Sequence, residues 1–135
     1  MPVLYVARSA SLSKWASDVG LSKHVFKVGL AEADALKDLL AAGWAGQTDW
    51  TLVRKQEVEL ADEEEILQRL AKKEKVVDPA LYPRIKGERG IYKVLPAHVE
   101  NHMLVTRALG GEESIRDVKV KPADFGDYLI KNALR

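Results

Sequence analysis

Apolar residues along the chain fall into short continuous runs and helix-spaced stripes, broken by glycine, proline and charged clusters. Val3-Leu4-Tyr5-Val6-Ala7 is a short β-rich run between polar flanks, which predicts a buried strand. Ser9 to Lys23 is a connector with a short helix: Ser11 or Ser13 caps it, Leu12, Trp15, Ala16 and Val19 share one face, and Gly20 ends it. Val25 to Gly29 predicts a second strand, with Phe26 and Val28 on one face and Lys27 on the other. Leu36, Leu39 and Leu40 give a helix over Glu32 to Ala42 its apolar stripe, and Gly43 closes it. Trp50-Thr51-Leu52-Val53 opens a third strand that runs to about Leu60.

Asp62 is an N-cap, and Glu65 three positions on completes a capping box for a helix carrying Ile66, Leu67 and Leu70. That helix frays near Lys75. Pro79, Pro83 and Gly87 mark a loop. Gly90 to Val94 predicts a short strand, and Pro96 starts a helix with Val99, Met103, Leu104 and Ala108 on one face, stopped by Gly110-Gly111. A last helix covers Pro122 to Leu134, with Phe125, Leu129 and Ile130 inward. The order β-β-α-β-α-β-α-α predicts an α+β fold, a small central, mostly antiparallel sheet flanked by helices, whose first two strands pair across a long hairpin.

The length of 135 residues fits a single domain, 1–135, with enough chain to bury a core without cross-links. No cysteine is present, which removes disulfides, thiolate zinc sites and cysteine nucleophiles and fits a reducing compartment. No apolar run is long enough for a signal segment or a membrane span, so the expectation is a cytoplasmic protein with no membrane partner.

Net charge is only +1, but it is unevenly spread. From Ile66 to Lys93, eight basic residues face three acidic ones, directly after the acidic run Asp62-Glu63-Glu64-Glu65. A basic stretch beside clustered carboxylates suits an anionic polymer and a metal ion, and it equally suits a solvated helix followed by a charged loop.

Leu4-Tyr5-Val6 on the first strand and Phe26-Lys27-Val28-Gly29 on the second, followed in order by a helix with a basic residue on its first turns, a strand, a glutamate-led helix, a basic stretch and a short aromatic strand, resemble the GIY-YIG nuclease superfamily in its phage-type branch. The resemblance covers about 3–94 and leaves 95–135 as a C-terminal helical extension. The literal Gly90-Ile91-Tyr92 is a decoy, because a proline-capped helix follows it where a partner strand is needed. The resemblance implies an endonuclease-like, metal-dependent phosphodiester hydrolase acting on DNA, with one Mg²⁺ or Mn²⁺ held by a helix glutamate, an arginine on the phosphate and tyrosines that position water.

Carried over residue by residue, Tyr5 matches the first tyrosine. Phe26 stands where many members have a second one, and it has no hydroxyl to offer water. Counting on from Gly29, the arginine position falls to Lys37, whose ammonium lacks the planar fork that grips two phosphate oxygens. Loss of a fully aimed donor costs about 10²–10³ in rate. Among the glutamates, Glu63 shares the helix face of Ile66, Leu67 and Leu70, so it turns toward the sheet and is the first choice of metal ligand; Glu64 flanks that face and is the second choice, and Glu65 points away. All three also favour a helix N-terminus through the macrodipole alone. Lys72, Lys73, Lys75, Arg84, Lys86 and Arg89 are the candidate phosphate-backbone contacts, with no sequence-reading element among them. His98 and His102 lie one helical turn apart without a third ligand in view.

Two readings therefore stand side by side: a hydrolase using Tyr5, Lys37 and Glu63, and a non-catalytic relative that binds nucleic acid or a protein. Trp15, Val19 and Leu21 offer a partner surface within 11–24 for the second. In a third reading the resemblance is accidental and the chain is an unrelated small interaction domain; the first two readings require Tyr5 and Phe26 to lie on adjacent antiparallel strands.

Overall fold

A computed structural model of the chain describes residues 2–59, 62–109 and 120–134, with only the backbone described at 107–109. The fold is α+β, an antiparallel five-stranded sheet with helices on both faces. In chain order the elements are β1 (Pro2–Ser9), α1 (Ala10–Asp18), β2 (Val25–Glu32), α2 (Leu36–Ala42), β3 (Trp50–Glu57), α3 (Glu63–Lys73), β4 (Lys75–Val76), β5 (Ile91–Lys93), α4 (Pro96–Leu109) and α5 (Pro122–Ala133), with a single 3₁₀ turn at Pro83–Ile85. Across the sheet the strands run β3-β1-β2-β5-β4.

β1 and β2 pair antiparallel with Tyr5 opposite Gly29 and Ala7 opposite Lys27. The long hairpin expected between them holds α1. Ser9 caps this helix by accepting from Leu12 N at 3.2 Å, and Asp49 steadies the cap by accepting from Ser9 Oγ and from Ser11 N. The cap is therefore Ser9, not Ser11 or Ser13. Gly20, at φ +82°, lets the chain leave the helix in a left-handed turn that Leu21 N closes onto Ala16 O.

Alternation along the strands builds two cores. Leu4, Val6, Phe26, Val28 and Tyr92 face α3, α4 and α5; Val3, Tyr5, Ala7, Val25 and Ile91 face α1, α2 and the segment through Ile85. Because both faces are covered, β1 is almost wholly buried, which explains its unbroken apolar run.

Several expected boundaries move. The second helix begins at Leu36, not Glu32, because residues 30–32 stay in the ladder opposite 2–4. The third strand ends at Glu57, and Leu60 lies outside the described residues, as do Ala108's side chain and Gly110-Gly111. α3 ends at Lys73, and Glu74 turns extended to start β4, where fraying helix was expected. At its other end Asp62 accepts from Glu64 N at 3.0 Å as expected, while the Glu65 carboxylate, expected to complete a capping box, takes Arg69 Nη2 at 2.7 Å.

Candidate functional site

Around β2, apolar packing is interrupted by polar residues from three elements: Tyr5 and Lys27 lie on the α2 face of the sheet, and Glu63 reaches Leu30 of β2 from α3, which covers the other face. β1 supplies Tyr5, which is only 3% exposed; its ring stacks on Trp44, with centroids 5.4 Å apart and planes 15° from parallel. The phenol tip lies over Gly29 so closely that a β-carbon there would sit 2.5 Å from the hydroxyl oxygen. No described residue forms a hydrogen bond with that hydroxyl. Burial raises the Tyr5 pKa well above the usual phenol value, and the Glu63 and Glu88 carboxylates raise it further. The group is thus a protonated donor at neutral pH, able to bond a water or a phosphate oxygen but not to act as a ready base.

β2 supplies Lys27, which the chain buries to 5% exposure. Its Nζ donates to Arg89 O at 2.7 Å, pairs with Glu88 Oε1 at 3.3 Å and lies 5.8 Å from the Trp44 ring centroid. Burial pulls the ammonium's pKa down, and Glu88 partly restores it. Gly90 makes this arrangement possible. At φ +80° its backbone passes Val28 so closely that a β-carbon would meet Val28 O at 2.5 Å and Lys27 Nζ at 3.1 Å.

α3 supplies Glu63 from its first turn. One carboxylate oxygen accepts from Leu30 N at 2.9 Å, which turns the side chain toward β2, as its helix phase predicts. Its other oxygen takes no hydrogen bond from a described residue. Mg²⁺ commonly uses one or two carboxylates and completes its shell with water and substrate phosphate, and Glu63 fits that role. Glu64, the second choice, is engaged by an ion pair: Arg89 Nη2 reaches both of its oxygens, at 2.8 and 2.7 Å, and lowers the carboxyl's pKa. Among the described residues no three histidine or carboxylate side chains gather into a metal cage.

Lys27 and Arg89 thus meet through the Arg89 carbonyl, and the Glu63 charge reaches Tyr5, Lys27 and Arg89. The expected cation, Lys37, stands apart from this set. It lies on the exposed side of α2 without a hydrogen bond or ion pair to any described residue. Phe26 is on the strand next to Tyr5, as the resemblance requires, but it faces the other core and stacks on Phe125 at 5.0 Å. Tyr92 of the decoy is core: its hydroxyl donates to Leu67 O at 2.7 Å, and burial raises its pKa to about 12.

The expected basic groove is divided. Lys73 binds the α5 C-terminus through Asn132, and Arg84 donates to Ala45 O at 3.4 Å. The Lys86 side chain lies over Gly46, and Arg89 holds Glu64. Lys72 and Lys75 are exposed and pair with no described residue. His98 has a different use, donating from Nδ1 to the buried Glu74 carboxylate at 3.0 Å. Tyr128 donates to that carboxylate as well, and His102 packs edge-on against the Tyr128 ring.

Sequence reasoning missed Lys27, Glu88 and Trp44. Lys27 was placed only on the face opposite Phe26 and Val28; the available signal was that β1 is an unbroken apolar run, which implies cover on both sides of the strands beside it. No protein-family model matches the chain, and neither curated proteins nor solved structures give a match.

Proposed function

We propose that the chain is a divergent GIY-YIG-type phosphodiester hydrolase acting on DNA, with its reacting centre where Tyr5, Lys27, Glu63 and Arg89 meet. One observation supports this reading: a protonated phenol without a hydrogen bond to any described residue lies within the electrostatic reach of Glu63, whose charge also reaches Lys27 and Arg89. Each residue then has a task. Tyr5 donates to the attacking water or to a non-bridging phosphate oxygen. Lys27 sets fixed positive charge under the phosphate. Arg89 can exchange one exposed contact to Glu64 for a phosphate oxygen, to which its fork is well matched. Glu63 is the residue that would hold a divalent ion. When bound, that ion neutralises charge at the scissile phosphate and makes its water more acidic.

The assay is plasmid nicking with Mg²⁺ or Mn²⁺. Nicking should fall about 10²–10³-fold in Glu63→Gln and Lys27→Met, by the usual cost of losing an aimed charge, and should persist in Lys37→Met. Activity that depends on Lys37 but not Lys27 would remove the proposed centre.

The closed Glu64–Arg89 pair and the apolar packing of Phe26 favour a second reading, a non-catalytic module that binds nucleic acid. It predicts salt-sensitive DNA binding without nicking. Neither nicking nor binding would end both readings.

A further inference from the structure

On the opposite side of the sheet, a cavity of about 240 Å³ opens between the end of β1, the start of β2 and the start of α5. Its polar lining is Arg8, Ser13, Lys23 and His24, and its floor is formed by Phe26 and Phe125. Among the described residues no carboxylate lines it, and neither Arg8 nor Lys23 has an ion pair. Asp49, which shares the adjoining cavity with Arg8, is held by Ser9 and Ser11.

Three basic side chains crowded with no carboxylate among the described lining residues repel one another. The His24 imidazole registers this: burial lowers its pKa first, and Lys23 and Arg8 lower it further. The ring is fixed by stacking on Phe125 at 4.8 Å, with planes 14° apart, so it cannot easily leave the cavity. An anion would convert this mutual repulsion into attraction, with the Arg8 fork and the Ser13 hydroxyl as directional donors. The volume is below the ~300–1,000 Å³ of pockets that enclose drug-sized ligands, so the occupant is a small anion or the tip of a larger one.

We infer that this cavity is a binding site for a phosphate dianion, either inorganic phosphate or the terminal phosphate of a monoester. Two permanent charges, on Arg8 and Lys23, match a dianion better than the single charge of a diester. The site is therefore distinct in chemistry, as well as in sheet face, from the proposed phosphodiester centre, and it does not depend on that reading.

The test is ¹H–¹⁵N NMR titration of the full chain with inorganic phosphate, methyl phosphate and dimethyl phosphate at fixed ionic strength. The two dianions should give saturable shifts at residues 8, 13, 23 and 24, and dimethyl phosphate should bind at least ~10-fold more weakly, the usual effect of losing a charge-assisted contact. Lys23→Gln, at an exposed position, should weaken phosphate by a similar factor without unfolding the chain, and Arg8→Gln should weaken it more. A response confined to inorganic phosphate restricts the site to the free ion and supports the inference; a response to both dianions extends it to monoesters. Absence of saturation at millimolar phosphate overturns it. So does equal binding of dimethyl phosphate, or unchanged affinity in a folded Lys23→Gln protein.

Discussion

Gly29→Ala probes the packing of the proposed centre at its tightest point. The added β-carbon would lie 2.5 Å from the Tyr5 hydroxyl oxygen, 2.9 Å from Cζ and 3.2 Å from Cε1, so the phenol must move. Its freedom is small. The ring stacks on Trp44, and Trp44 meets Trp50 edge-on at 5.2 Å, so a displaced phenol disturbs a chain of three aromatic rings. Overpacking of this kind costs about 1–3 kcal/mol. Replacing glycine in a strand returns roughly 0.5–1 kcal/mol, because glycine loses the most backbone entropy on folding. The net expectation is a destabilisation of about 1–2 kcal/mol. Urea unfolding of Gly29→Ala, Tyr5→Leu and the double variant isolates the contact, since leucine lacks the phenol tip. A coupling of at least ~1 kcal/mol is expected, with the double variant less damaged than the two single costs combined. If the two changes add to within about 0.3–0.5 kcal/mol, Tyr5 is not held against Gly29 and the description of the site is wrong.

Other consequences are as direct. Glu74→Ala strands the Tyr128 hydroxyl and removes the His98 partner, and each buried group left unsatisfied costs ~1–3 kcal/mol; Glu74→Gln should recover part of this loss in the same urea titration, because its amide oxygen still accepts. Gly90→Ala combines a left-handed backbone with a close approach to Val28 O, and should lower stability by more than the ~1–2 kcal/mol of the backbone term alone. Lys27 sets an alkaline pH dependence. Its folded pKa is depressed from 10.5, so its contribution to stability is fully present above 10.5 and is lost as pH falls through the lower folded value. Wild-type unfolding free energy should accordingly gain on that of Lys27→Met as pH rises toward 10.5, and a constant difference across that range would show that Lys27 is not buried as described.

The sheet and its helices are legible in the sequence because they rest on period and punctuation. Asp62, Pro96 and Pro122 mark helix starts, and Ile66, Leu67 and Leu70 point α3 inward as their spacing demands. The two-residue β4 is not legible, since nothing local distinguishes Lys75-Val76 from a helix end; its pairing with β5 decides it. The candidate site is legible at Tyr5 and Glu63, each fixed by its phase on one element. Its basic component is not. Lys37 follows from counting along a motif, whereas Lys27 and Arg89 reach the centre through β2–β5 pairing and the loop before β5, which join positions 62 residues apart. The engagement of Glu64 by Arg89 is hidden for the same reason: it is a contact between α3 and that loop.

The small residues on the α2 face tie these observations together. Ala7, Gly29 and Gly90 would leave a hollow beside the buried strands, and the core cannot tolerate an empty one. Tyr5 and Lys27 fill it from the same pair of strands, in a register where each stands opposite a small residue. A methionine at position 27 would occupy similar space without desolvating an ammonium, and a leucine at position 5 would need no polar tip. Burial of the Lys27 ammonium is only partly offset, by the Arg89 carbonyl and the Glu88 carboxylate, and the Tyr5 hydroxyl gains no hydrogen bond from a described residue. A residue choice that gives up stability where an apolar one would serve is the expected mark of a site kept for its chemistry. On this argument, Lys27→Met and Tyr5→Phe should leave the chain at least as stable as before at neutral pH, while Lys27→Met should lower the proposed nicking activity. If either replacement instead unfolds it, the polar pair belongs to the architecture.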